Sequence, residues 1–234
     1  MRVRAIRTRV FREGEDLCTF VDSTLRRIPE RSVVVITSKI AALAERRTDD
    51  PKDRERIIKE ESELAIRTKY TWLTIKDGMV MASAGVDESN AAGRLIRLPK
   101  DSYVVAGEVR RHLMKKHGLA EVGVLVTDSR LLPLRAGIVG VALGYAGFKG
   151  VRDYRGTPDI FGRLLKLSRT DVADSLAAAA VLQMGEGAEQ QPLALITDAR
   201  VEFTERTSRR ELRIDPKEDL YRPLFEHLPP SGTL

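Results

Sequence analysis

Four places in this chain of 234 residues set an oxygen-bearing side chain among small residues just where an apolar run ends. They are Ser38-Lys39 after "VVVIT", Asp87 and Asn90 in "AGVDESN", Asp128-Ser129 after "VGVLVT", and Glu186 in "MGEGAEQ". Carboxylates and hydroxyls with no bulky cover are hard oxygen donors, suited to magnesium or manganese and not to zinc. Singly, each is also the residue type that forms turns and caps helices. Together they point to a site carried on loops held by rigid elements. If Asp87, Asp128 and Glu186 converge, each pair at ~4 Å repels by about 4 kcal/mol at an effective dielectric of about 20. A fold stable by ~5–15 kcal/mol does not carry that unscreened. Either the three stay apart, or a divalent cation lies among them. Magnesium implies phosphate in turn, since phosphate oxygens and water usually complete its shell.

Other motifs bear on the same question. No Walker A pattern is present, and no "GxGxxG" follows a strand, which argues against the common nucleotide folds. Lys39 reads either as a phosphate contact or as a solvated lysine in a helix's first turn. The glycines of "GIVGVALGYAG" allow either close approach of backbone to a ligand or tight crossing of elements. Arg135 and Arg163 stand singly in apolar surroundings, which suits pairing or ligand binding, and "DIFGRLLKL" offers Asp159 as a structural partner for Arg163.

The elements that must position these residues follow from periodicity. Residues 2–11 alternate like an edge strand with Arg2 and Arg4 on a solvent face. "EDLCTFVDSTLRRI" has the spacing of an amphipathic helix. "SVVVITS" (32–38), "VGVLVTDS" (122–129) and "PLALITDA" (192–199) are short apolar runs typical of buried strands. Asp50-Pro51 with Asp53 starts a helix carrying "ERIIKEESELA", mostly a solvated face. "TWLTIKDGMVMAS" reads as two strands around Asp77-Gly78, residues 101–118 as a helix ended by Gly118, and "TDVADSLAAAAVLQMGEG" (170–187) as an alanine-lined helix running to Met184 with Thr170 and Asp171 as cap candidates. Residues 137–147 are strand-like, and a short helix is expected near Leu220–Phe225. Strands and helices mix without regular βαβ alternation, so the expected class is α+β.

Composition narrows the partners. Hydrophobic content of 42% and charged content of 32% describe an ordinary globular protein. No apolar run approaches the roughly 20 residues that span a membrane. The start "MRVRAIRTRV" has no signal-peptide core, and the cytoplasm is the expected location. The single cysteine, Cys18, excludes an internal disulfide and a cysteine-rich zinc site. The net charge of +6 is spread among 34 acidic residues and aromatics are only 5%, so small polyanions such as nucleotides are expected and nucleic acid is not.

Several motifs occur in one order: "VITSKI" with "AER", "AGVDESN", "VTDS" followed by "PLRAGIVGVALGYAGF", "DYRGTPDIFGR", and "VADSLAAAAVLQMGEGAEQQPLALI". Together they resemble the coenzyme F-420-0:L-glutamate ligase (γ-glutamyl ligase) family over roughly residues 1–200, most closely the branch labelled folate-metabolism γ-glutamate ligase. The resemblance implies a family-specific α+β fold with mixed, largely antiparallel sheets and an intertwined homodimer; beyond the matched stretch, the polar residues 201–234 are expected as a C-terminal extension packed on the ligase unit. It implies a GTP-dependent (or ATP-dependent) amide ligase needing Mg2+ or Mn2+, with L-glutamate and a carboxylate acceptor as substrates. By motif match, Asp87, Asp128, Ser129 and Glu186 hold the metal. Ser38, Lys39 and Asn90, with Gly185, Glu186, Gly187 and Glu189 of the "GEGAEQ" loop, contact the nucleotide, and "RVFR" (9–12) matches a further nucleotide-side segment. Asp87, Asp128 and Arg135 are then the catalytic set, with Arg135, Asp159 and Arg163 on the substrate side. The chain departs from the family in three places. Leu131-Leu132 precede Pro133 where deazaflavin-making members read Gly-Arg, Arg46 replaces a glycine, and Leu43 replaces a lysine found in some members. The nucleotide chemistry is thereby supported more strongly than the acceptor.

Overall fold

The computed structural model describes residues 1–223. In chain order the elements are β1 (Arg2–Ile6), α1 (Leu17–Thr24), β2 (Ser32–Thr37), α2 (Ser38–Ala44), β3 (Thr48–Asp49), α3 (Arg54–Glu60), β4 (Leu64–Arg67), β5 (Trp72–Lys76) and β6 (Met79–Ala82). They continue with β7 (Leu95–Ile96), α4 (Ser102–His117), β8 (Val122–Leu131), β9 (Ile138–Ala146), β10 (Val151–Asp153), β11 (Arg169–Asp171), α5 (Val172–Met184) and β12 (Leu193–Thr197). The class is mixed α+β. Among the described residues no helix is long and apolar enough to cross a membrane.

The main sheet runs β1-β12-β2-β8-β9, and only β2 and β8 pair in parallel. Both faces are covered, which explains why the central strands are apolar throughout instead of alternating. Val34, Ile36, Val124 and Val126 pack with Phe20, Ile40 and Leu113 from α1, α2 and α4. Val33, Val35, Leu125 and Ile196 point the other way, against Leu176, Ala177 and Ala180 of α5. The glycines of β9 serve this packing. A Cβ on Gly140 would lie 2.5 Å from the Ala177 carbonyl oxygen, and one on Gly144 would lie 2.5 Å from the backbone of Ser102 and Tyr103. Tight crossing with α5 and α4 therefore accounts for these two glycines.

The helix ends follow their side-chain chemistry. Asp101 caps α4 through the amides of Tyr103 and Val104, and Gly118 closes it in the left-handed region. Asp171 accepts from the Asp174 amide at the start of α5, as the cap candidates predicted. Elsewhere the structure corrects the sequence expectation. The helix expected through "ERIIKEESELA" stops at Glu60, and Leu64–Arg67 is instead the first strand of the meander β4-β5-β6. The Ser62 hydroxyl bonds back to the Ile58 carbonyl, and the Glu63 amide pairs with the Ile75 carbonyl at 2.7 Å. These bonds turn the chain out of the helix. The strand expected over residues 2–11 ends at Ile6, the 122–129 strand extends to Leu131, and the two-residue strands β3 and β7 and the pair β10-β11 lack any periodic signal. Of the helix expected near Leu220–Phe225, Leu224 and Phe225 lie outside the described residues.

Val201, Phe203 and Leu212 join the core on the α5 side, and the same segment reaches α4 through Glu205. Glu205 forms two bonds, 2.8 and 2.5 Å, to the buried Arg110 guanidinium, and Glu211 accepts from the Tyr145 hydroxyl at 2.7 Å and the Gly150 amide at 2.9 Å.

Candidate functional site

The small residues of "ASAGVDESNAAG" have a backbone cause. Ser83, Ala84, Gly85, Asn90, Ala92 and Gly93 all have positive φ, between 49° and 78°. Left-handed backbone costs a residue with a Cβ about 1–2 kcal/mol, and bulky or branched side chains more. The segment is held down by the Thr74 hydroxyl, which accepts from the Ala84 amide at 2.8 Å and donates to the Met81 carbonyl at 2.8 Å. Beyond it, Asp87 pairs through its backbone with Ile96, at 3.0 and 2.8 Å, so its carboxylate leaves from a fixed bridge.

That carboxylate accepts from Lys39 Nζ at 2.7 Å, from the Ser89 hydroxyl at 2.7 Å and from the Ser89 amide at 2.8 Å. Burial alone would raise its pKa. The hydrogen bonds from Lys39 and Ser89 outweigh burial and hold it below the usual aspartate value. Lys39 comes from the first turn of α2, immediately after β2.

Asp128 sits next to Ser38 because β2 and β8 run in parallel and their pairing ends with Thr37 opposite Thr127. The Ser38 hydroxyl is 3.2 Å from Asp128 Oδ1, and Arg130 Nη1 donates to Oδ2 at 2.5 Å. Opposite this point β9 carries an extra residue, Leu143, since Val126 pairs with Gly144 and Thr127 with Ala142, while β8 keeps its alternation. Ser129 donates to Glu186 Oε1 at 2.5 Å. Glu186 lies in the loop after α5, where Asn90 Nδ2 donates to the Gly187 carbonyl at 3.1 Å and Glu189 folds back to accept from the Gly187 amide at 2.8 Å. Gly185 makes that fold possible. Its φ is +80°, and a Cβ there would lie 2.4 Å from the Glu189 carboxyl carbon.

These elements enclose a cleft of about 810 Å³. Ser38, Lys39, Asp87, Asn90, Asp128, Ser129, Gly185, Glu186, Gly187 and Glu189 all line it. Arg9 does too, at the lip, stacked over Phe20 and paired with Glu15. The size is that of a pocket for a substantial small molecule. Arg135, Asp159 and Arg163 do not line this cleft. Arg135 is exposed at the β8–β9 tip, and the Asp159 carboxylate accepts the backbone amides of Phe161 and Arg163, a local turn.

The acidic residues share the cleft without clustering. Among the described residues, no three His, Cys, Asp or Glu side chains stand close enough together to hold a metal. Protein cations balance the charge instead, Lys39 on Asp87 and Arg130 on Asp128, which is a third solution to the repulsion argued from sequence. The donors do fit a hard ion that takes one or two carboxylates and completes its shell with substrate oxygens and water. Arg130 escaped sequence reasoning. It faces the same side of β8 as Asp128, and its side chain is only 7% exposed, a burial set by tertiary packing.

The family model for F420-0:Gamma-glutamyl ligase matches residues 43–198, a span holding Asp87, Asn90, Asp128, Ser129 and the Glu186 loop. The chain belongs to this family. Relatives support it. The coenzyme F420:L-glutamate ligase of Methanopyrus kandleri is 39% identical over 185 residues, 77% of this chain and 73% of that protein. That of Methanococcus maripaludis is 32% identical over 215 residues, 90% of this chain and 86% of the relative. That of Methanocaldococcus jannaschii is 36% identical over 191 residues, 81% and 76% of the two chains. Within the F420-0:γ-glutamyl ligase family, this chain has Leu131 at the end of β8 and Leu132 just past it, and Leu131 lines the cleft.

Proposed function

We propose that the protein is a cytoplasmic, GTP- and metal-dependent ligase that joins L-glutamate to a carboxylate acceptor, coenzyme F-420-0 or a folate-like compound, through an acyl phosphate. The observation that carries this reading is the single cleft. Four separate chain segments deliver Ser38-Lys39, Asp87/Asn90, Asp128-Ser129 and Glu186 to it, in a chain whose relatives are named glutamate ligases.

A carboxylate and an amine do not condense in water at useful rates, so the acceptor must first be activated. In this reading Lys39, Ser38 and Asn90 hold the triphosphate, with the 185–191 loop closing over the nucleotide. The acceptor carboxylate attacks the γ-phosphoryl and GDP leaves. The glutamate amine then displaces phosphate to give the amide. Asp87, Asp128, Ser129 and Glu186 would hold Mg2+ or Mn2+, which gathers charge on the transferring phosphoryl group when bound. Asp87 and Asp128 position that charge from fixed backbone, and Lys39 is a further cation at the phosphates.

A homodimer belongs to the same proposal. Leu131, Leu132, Leu134 and Ile138 at the β8–β9 tip, and Ile160, Phe161, Leu164 and Leu167 between β10 and β11, are each 48–105% exposed. Exposed apolar groups of this kind mark interaction surfaces. Arg135, Asp159 and Arg163 ride on these two segments, outside their own chain's cleft, so an intertwined dimer is the arrangement that would give them a substrate to clamp.

The test is mass spectrometry of reactions holding GTP, magnesium or manganese, L-glutamate and a panel of acceptors. A mass gain of one glutamate residue, dependent on GTP and metal, names the acceptor; no gain with any acceptor sinks the ligase reading. Leu131 in the cleft, where deazaflavin-making members carry Gly-Arg nearby, favours a second reading, a nucleotide- or pterin-binding protein without catalysis. Calorimetric binding of GTP with magnesium but no phosphate release would support that one.

A further inference from the structure

Asp128 and Arg130 lie two residues apart on β8 and so face the same side. Arg130 Nη1 donates to Asp128 Oδ2 at 2.5 Å, and the guanidinium is almost wholly buried. Its Nε and Nη2 atoms are sealed from solvent with no hydrogen-bond partner. Among the described residues its ion pair is with Asp128. A guanidinium stays protonated at any ordinary pH, so the charge cannot be shed.

These facts constrain how a cation enters. An ion taken up by Asp128 alone would sit beside a buried positive charge and would draw away the carboxylate that balances it. A buried charge stripped of its partner is strongly unfavourable. An oxyanion arriving with the cation removes both problems. It supplies negative charge, and its oxygens match the Nε–Nη2 edge, the planar fork that binds phosphate or carboxylate through two parallel bonds. We propose that Arg130 couples the two uptakes, so that the cleft binds a divalent cation tightly only together with a phosphate or carboxylate group. This rests on the reading above for the kinds of ligand and adds the residue that links them. Coupling is reciprocal, so the cation tightens the anion by the same factor.

The experiment is equilibrium dialysis of the full chain, counting protein-bound Mn2+ alone, with inorganic tripolyphosphate, and with a non-hydrolysable GTP analogue. For the wild type, tripolyphosphate should tighten Mn2+ on the order of tenfold or more. Arg130→Met should bind Mn2+ alone more tightly than the wild type and lose most of the coupling. Arg130→Lys, which keeps the charge and lacks the fork, should still bind Mn2+ alone weakly. Equal affinity for Mn2+ alone in wild type and Arg130→Met, or coupling that survives in Arg130→Met, overturns the proposal. Should circular dichroism show Arg130→Met unfolded, Asp128→Asn takes its place. It frees the guanidinium, so tripolyphosphate without metal should bind more tightly than to wild type, and unchanged binding overturns the proposal. Coupling by tripolyphosphate with none by the GTP analogue would uphold Arg130's role while removing the nucleotide from the functional reading.

Discussion

Replacing Glu61 by glutamine should unsettle the small lobe that carries Asp87. Glu61 sits just past α3 with its side chain 11% exposed, and three cations converge on it: Arg47 at 2.8 Å, Lys76 at 2.7 Å and Arg97 at 3.0 Å. Arg97 also grips Asp49 at 2.5 Å, and Arg47 donates to the Leu98 carbonyl at 2.8 Å, so the hub ties α3 and β5 to the strand pair β3–β7. The Asp87 bridge to Ile96 is in β7. Burial opposes ionisation of Glu61, yet hydrogen bonds from Lys76 and Arg97 overcome it and bring its pKa from 4.5 down to about 2. At 1.36 kcal/mol per pH unit, that difference stabilises the folded state by roughly 3 kcal/mol at neutral pH. Because the folded value is the lower one, this stability is present above the unfolded pKa and drains away as pH falls from about 4.5 towards about 2. At pH 3 roughly 1–1.5 kcal/mol should be left. Urea unfolding of wild type and Glu61→Gln at the two pH values measures the gap directly. A difference under about 1 kcal/mol at pH 7, or one that does not shrink at pH 3, would refute the hub's role.

Further outcomes are expected. Asp87→Ala and Asp128→Asn should each lower glutamate-dependent turnover by about 10²–10³ with the fold kept, and full metal-dependent activity in both would refute their placement. Asp171 caps α5 beside Asp174; the residue as a whole is exposed, and partial desolvation of its carboxyl, then the neighbouring carboxylate, pushes it up to about 6. Its raised value means that its stabilising contribution is complete below the ordinary aspartate range and is lost as pH rises through about 6. Thermal melts of Asp171→Asn should lack that loss between pH 4.5 and 7. Glu205→Ala strips the carboxylate from buried Arg110 and should cost about 1–3 kcal/mol in urea unfolding. Gly185→Ala forces a side chain into left-handed backbone and against Glu189, and calorimetry should show weakened nucleotide binding.

How far the sequence could be read depended on whether the deciding interaction was local. The apolar runs of β2, β8 and β12, the helix end at Gly118 and the cap Asp171 announce themselves within a few residues, and all are present. Glu61 was invisible by the same logic. It belongs to a segment that reads as a solvated face, and only partners 14 to 36 residues away show it as buried. Arg130 was hidden because the burial of its guanidinium beside Asp128 is set by packing that no local pattern encodes. The small residues around Asp87 were noticed as an uncovered site, whereas their size also reflects left-handed backbone. The cleft residues were named singly in the sequence. What it did not show is that Lys39 and Arg130, and not proximity to one another, balance Asp87 and Asp128.

The place of β12 has a consequence for how the molecule is made. The last strand is not at the margin of the sheet; it slots between β1 and β2, the first two. During synthesis those two strands emerge early and wait, their inner edges unpaired, until nearly two hundred residues have been translated. Such distant partners make for slow closure and invite chaperone protection of the open edges. The loop bearing Glu186 immediately precedes that strand, so the segments that line the cleft are all present only once the chain has been made nearly to β12.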